Sequence, residues 1–303
     1  HNTPPPELFI KADGSVLSNY TVGFEIEKSS VDEETEEGAY VDPQPLFAGW
    51  ETDSSCGVEG ITNVYSLNNT DLFLTHVKES DLLNEPTDRT CGGHINFGRL
   101  DNTLQYWHIK PWLGLFWSMW RKRLTNTYSC SNKKANPYHG SHARYSCLSQ
   151  KSLPNGNKLY ELRLPNRVSN QSVLANRFRL MQSFLHCVDL YLNEKWSYSS
   201  IVWPDDTYVG IPEWAVNNLP QGYIVEPLKA IEEFNVKLPV PVQLRMRFLI
   251  EMSKDVLLDV YGTDNRGFKL IDVIEYAYKF QGFIESESAE YTCPAFQAVK
   301  KFI

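Results

Sequence analysis

Nowhere in this 303-residue chain do 18 apolar residues run together, and that excludes a membrane-spanning helix. Cysteine is sparse. The six residues lie far apart, from Cys56 to Cys293, with no Cys-x-x-Cys pair, which argues against a structural zinc site. It also argues against a disulfide scaffold and leaves reduced thiols in a cytosolic setting as the expectation. Positive charge is short as well: 29 Lys and Arg face 37 Asp and Glu, for a net charge of −8. A general nucleic-acid binder needs a basic surface to meet phosphates, so the charge argues against that class. Three catalytic loops are missing: Gly-x-x-x-x-Gly-Lys-Ser/Thr, Gly-x-Gly-x-x-Gly and Gly-x-Ser-x-Gly. Their absence removes support for a P-loop, a dinucleotide fold and an α/β-hydrolase. The opening HNTPPPELFIK has no apolar core of the kind a secretion signal carries.

What is present suits a globular body: 42% hydrophobic residues, 13% of all residues aromatic and 22% charged. Residues 8–28 read as a β-hairpin turning at Asp13-Gly14. Residues 29–48 are acidic and read as a solvated loop, with the acidic run near 32–37 as a lid or partner-binding element. Strands are expected around 49–61 and 91–98, and a helix over about 70–84. The apolar segment 101–127 reads as helix, with Asp101 as N-cap and Pro111 as a bend. Its Trp112, Phe116 and Trp120 recur every four residues, the spacing of a buried stripe. Residues 129–157 read as a long functional loop, 158–164 as a strand and 171–196 as an amphipathic helix. Prolines punctuate the chain from residue 204 on, with helices expected at about 225–236, 241–261 and 268–281. The division is therefore 1–198 for a catalytic body and 199–303 for a helical extension, a candidate surface for homo-oligomer assembly.

Several expected strands carry polar side chains where a buried strand wants apolar ones. Glu25 and Glu27 sit two apart in Gly-Phe-Glu-Ile-Glu and so face the same side. Glu59 follows in Asp-Ser-Ser-Cys-Gly-Val-Glu, then His94 and Asn96 in Cys-Gly-Gly-His-Ile-Asn-Phe-Gly, then Glu161 and Arg163 in Tyr-Glu-Leu-Arg-Leu-Pro. Each alone is ordinary. Together they make four carboxylates, an imidazole and a guanidinium, and buried carboxylates cost several kcal/mol each unless paired or metal-bound. Oxygen ligands with one imidazole suit Mg²⁺ or Mn²⁺ better than zinc. Two such ions can clamp the phosphates of ATP, and an arginine fork matches phosphate oxygens. The basic groups Arg121–Arg123, Lys133-Lys134 and Arg163/Arg167 can hold a polyanion against the overall sign.

These four motifs, in this order and with Arg123–Tyr128 and Arg144-Tyr145 between the third and fourth, resemble the amidoligase family. Its members are carboxylate–amine ligases related to glutamine synthetase and glutamate–cysteine ligase, often carried by phages and bacterial gene clusters. The resemblance covers roughly residues 10–195. It implies an α+β fold of glutamine-synthetase-like type, a curved antiparallel sheet with helices packed on one side, followed by a mainly helical C-terminal region. It implies Glu25, Glu27, Glu59, His94 and Glu161 as metal ligands, with His94 also catalytic near the γ-phosphate. Arg163 and Arg144 become catalytic and nucleotide-binding groups, and Asn96 a further nucleotide contact. The implied substrates are ATP, with Mg²⁺ or Mn²⁺, a carboxylate and an amine on a peptide or small molecule. Neither nucleic acid nor membrane is an expected partner. One departure stands out: where the family has Ile/Val-Ser-Pro after the second motif's Glu, this chain has Gly60-Ile61-Thr62-Asn63. The other reading is a non-catalytic binding protein on a retained ligase fold, such as a phage factor that blocks a host defence system or an assembly component.

Overall fold

The computed structural model describes residues 4–30, 45–121, 123, 147–152, 156–192, 276, 277, 280, 281 and 284. The chain divides into two compact units, residues 1–104 with 148–182, and residues 105–147 with 183–303. The division expected at residue 198, the acidic run at 32–37, the helices at 225–236 and 241–261 and the segment around Arg144 lie outside the described residues.

The first unit is α+β and is built on one open, mostly antiparallel sheet. Its strands are β1 (Leu8–Phe9), β2 (Tyr20–Lys28), β3 (Phe47–Asp53), β4 (Gly57–Thr62), β5 (Val64–Ser66), β6 (Gly93–Arg99), β7 (Leu148–Ser152) and β8 (Lys158–Leu162). The order along the sheet is β1-β5-β2-β6-β8-β7, and β4 joins β2 beyond β5 and carries β3 outside it. The only parallel pairing among these strands is β1 with β5. The expected hairpin over 8–28 therefore does not form. After Gly14, at φ +75°, the chain enters a 3₁₀ turn (Val16–Asn19) and then β2. The 129–157 segment is not loop throughout either, because β7 lies within it and pairs β8 from Leu148↔Leu162 to Ser152↔Lys158.

Alternation on β2 sorts its side chains. Tyr20, Val22, Phe24 and Ile26 are fully buried on one face, joined by Tyr65, Ile95, Phe97, Tyr160 and Leu162. Two helices cover that face. On α1 (Thr70–Lys78) Phe73 meets Phe24 at 5.8 Å and Tyr65 at 5.1 Å between ring centroids. On α4 (Gln171–Leu192) Phe178 stacks on Phe73 at 4.1 Å. Rings that bury this much apolar area dominate the energy of the core. Lys28 ends β2 on the same face with no exposure; its Nζ donates to the carbonyls of Leu83 (2.7 Å), Val168 (2.7 Å) and Glu85 (3.0 Å). Three acceptors use all three ammonium hydrogens, which is what makes a buried lysine tolerable.

Thr62-Asn63 is the break between β4 and β5. Thr62 Oγ1 accepts from Phe24 N–H (2.9 Å), while Asn63 Oδ1 accepts from Glu7 N–H and its Nδ2 donates to Pro45 O, both at 2.9 Å. These contacts stitch three chain segments together. Gly57 has φ +133°, and an added Cβ would lie 2.4 Å from Ser29 O, so only glycine lets β4 start against the end of β2.

In the second unit the expected long helix is broken. Pro111 sits in a 3₁₀ turn (Lys110–Trp112) between α2 (Tyr106–Ile109) and α3 (Leu113–Met119), as its missing N–H dictates. Trp112, Phe116 and Trp120 are buried as the spacing predicts, and Phe116 stacks on Trp120 at 6.1 Å. Trp117 meets Phe280 at 5.9 Å, and Gly114 N–H donates to Gln281 Oε1 at 2.7 Å, so part of the expected 268–281 helix packs on α3. Asp101, in the first unit, is not a helix cap; its Oδ1 closes a turn on Thr103 N–H (3.1 Å) and Oγ1 (2.8 Å).

Candidate metal centre

Register decides which polar side chains meet on the face opposite the aromatic core. Glu25 stands opposite His94, and Glu27 opposite Glu59. Asn96 stands opposite Glu161, Glu161 opposite Ser149, and Glu59 opposite Glu51. Because side chains alternate across a sheet, all of these project to one side.

At the centre are Glu25 on β2, His94 on β6 and Glu161 on β8. Their candidate ligand atoms lie within 4.8 Å of one another. His94 Nδ1 is 3.1 Å from Glu25 Oε2 and 3.2 Å from Glu161 Oε1. Arg163 Nη1 donates to Glu161 Oε1 at 2.9 Å, Asn96 Nδ2 to Glu25 Oε1 at 3.2 Å and Ser149 Oγ to Glu161 Oε2 at 3.3 Å. Lys151, from β7, bridges the carboxylates, with Nζ 2.8 Å from Glu161 Oε2 and 3.3 Å from Glu25 Oε1. Asn96 Oδ1 is buried and has no hydrogen-bond partner among the described residues.

The charges follow from these contacts. Burial alone would raise Glu25, but the hydrogen bond and charge of His94, with Lys151, hold it well below the usual carboxylate range. Glu161 is also buried yet held low, chiefly by its hydrogen bond with His94. Burial opposes a charged His94, and the bonds to Glu161 and Glu25 outweigh it, carrying the imidazole up to about 9. Glu59 goes the other way: burial and the neighbouring charge of Glu25 push it up to about 8.

Glu27 belongs to a second group. It lies with Asp53 and Cys56, candidate ligand atoms again within 4.8 Å, and its Oε2 accepts Gly92 N–H at 2.5 Å. Glu59 feels both groups, since Glu25, Glu27 and Asp53 all raise it. The thiols of Cys56 and Cys91, 35 positions apart by their numbers, act on each other, which holds Cys91 down at about 6 and Cys56 above its ordinary value.

Of the residues singled out in the sequence, Glu25, His94, Asn96, Glu161 and Arg163 thus converge. Glu27 sits in the adjoining group with Glu59 between them, and Arg144 lies outside the described residues. Sequence reasoning missed Lys151, Ser149, Asp53 and Cys56. Ser149 and Lys151 share a face of β7, but Leu-Ser-Gln-Lys-Ser has a single apolar residue, so no apolar alternation marks the strand. Asp53 and Cys56 bound the turn in the second motif, Asp-Ser-Ser-Cys-Gly-Val-Glu, of which only Glu59 was read as a ligand. No protein-family model matches this chain, and no curated protein matches it.

Proposed function

We propose that this protein is an ATP- and divalent-cation-dependent carboxylate–amine ligase on a sheet of the glutamine-synthetase-like type. The observation that carries the reading is the meeting of Glu25, His94 and Glu161, three residues from three strands, with ligand atoms within 4.8 Å of one another. Two carboxylates and an imidazole are a donor set for Mg²⁺ or Mn²⁺, and the unpartnered Asn96 Oδ1 adds a neutral oxygen beside them. A cation held by Glu25, His94 and Glu161 would offset the negative charge of ATP's phosphates.

The chain's own residues supply the rest. Arg163, anchored through Nη1 on Glu161, is suited to hold a phosphoryl oxygen, since a guanidinium fork has more than one donor. A substrate carboxylate oxygen attacks the γ-phosphorus, the bond to ADP's oxygen breaks and an acyl phosphate forms. The amine nitrogen then attacks the acyl carbon, phosphate leaves and the amine proton passes to solvent or base. The carboxylate is the electrophile's source and the amine the nucleophile. Both are small-molecule or peptide groups in this reading.

The test is calorimetry and thermal melting with Mn²⁺ or Mg²⁺, with and without ATP. A ligand that binds the native state raises its melting temperature. Binding that needs both cation and ATP supports the ligase. A chain that melts at the same temperature in every condition fits the non-catalytic binding protein instead.

A further inference from the structure

We propose that Lys151 is an internal cation that occupies the Glu25–Glu161 pair until a divalent ion displaces it. The proposal rests on the reading of Glu25, His94 and Glu161 as a metal centre. Lys151 Nζ contacts both carboxylates that would ligate the ion, at 2.8 Å from Glu161 and 3.3 Å from Glu25. An ammonium that touches both cannot stay there once a dication takes the same oxygens, because the two positive charges repel at short range.

The geometry lets it leave. Glu161 is 2% exposed and Glu25 18%, whereas the Lys151 side chain is 46% exposed. Its anchor is also weak, because β7 pairs only with β8 among the described strands. The fixed partners of Glu161 are of another kind: Arg163 (14% exposed), just past the end of β8, and Ser149 on β7 hold it. Lys151 is therefore the contact that can swing to solvent without opening the core.

The consequence is selectivity by charge. A monovalent ion offers the carboxylates no more charge than the ammonium already does, so Na⁺ or K⁺ gains little by displacing it. A divalent ion gains one net charge in the exchange. Without metal, the lysine adds to His94, which also contacts both, in offsetting the repulsion between Glu25 and Glu161.

The experiment uses the full chain and two readouts. Mn²⁺ affinity is measured by calorimetry for the wild type, Lys151→Met and Lys151→Arg, with folding checked by circular dichroism. Removing the competing charge should tighten Mn²⁺ binding by about tenfold or more, while the arginine variant stays near wild type. In parallel, lysine acetylation is followed by mass spectrometry at Lys151, with the exposed Lys78 as the internal reference. Saturating Mn²⁺ should speed labelling of Lys151 and leave Lys78 unchanged. Weaker or equal Mn²⁺ binding by a folded Lys151→Met, or Lys151 labelling that does not rise when Mn²⁺ binds, overturns the exchange. If neither wild type nor variant binds Mn²⁺, the metal-centre reading itself falls.

Discussion

Replacing Glu59 by glutamine asks whether this face of the sheet is assembled for a cation at the expense of stability. Glu59 stands between Glu27 and Glu51 in register, and burial followed by the charge of Glu25 carries its carboxyl from 4.5 to about 8. Between those values the unfolded chain has released this proton while the folded chain retains it. Folded stability therefore falls as pH rises through that window. At about 1.4 kcal/mol per pKa unit, and about 2.5 units between 4.5 and pH 7, the upper bound at neutral pH is roughly 3.5 kcal/mol. Water reaches this half-buried group, which lowers the expected figure to about 1–2 kcal/mol. Glutamine keeps the shape and removes the charge. Metal-free Glu59→Gln should accordingly melt roughly 2–8 °C above the wild type at pH 7. The assay is denaturation in chelator at several values between about pH 4.5 and pH 8. The gain should shrink to nothing toward the acid end. The same variant should bind Mn²⁺ about tenfold or more weakly, in the range seen when a metal's supporting groups are lost. A variant no more stable than wild type at pH 7, or a gain that does not change with pH, would refute the reasoning.

Glu161→Gln has the opposite sign, because its carboxylate pairs with Arg163 and Lys151 while 2% exposed; a loss of about 3–5 kcal/mol in the metal-free protein is expected by chemical denaturation. That makes it a poor silent probe of catalysis, and unchanged stability would mean the ion pairs contribute nothing. Lys28→Met leaves the carbonyls of Leu83, Glu85 and Val168 without their donor, so a similar loss of about 3–5 kcal/mol should appear in urea melts, with no effect on Mn²⁺ affinity. His76, whose Nδ1 bonds Tyr65 Oη at 2.7 Å, is held below 6.5 by burial. The unfolded chain takes up that proton first, so stability should fall as pH drops below about 6.5, and His76→Gln should flatten that slope in pH-dependent melts. Arg163→Lys keeps the charge but loses the fork, so single-turnover phosphoryl transfer should fall further than ATP binding does; equal losses would contradict its assigned role.

The alternation of Phe24, Ile26, Ile95 and Phe97 with Glu25, Glu27, His94 and Asn96 was readable without coordinates, because a strand's period of two assigns faces by itself. The same held for the buried Trp112, Phe116 and Trp120, whose four-residue spacing is a helix face. Pairing was not readable. Leu8–Phe9 run parallel to β5 rather than turning back on β2, because hydrogen-bond partners far along the chain outweigh a local Asp-Gly turn signal. Nor did composition place Lys151 against Glu25, 126 positions away, or Glu27 beside Cys56 rather than in the central trio. Sequence alone therefore settled which side chains share a face, since that depends on each strand's own geometry. Which of them touch depends on strand order and register, and those are set by long-range packing of the aromatic side of the sheet.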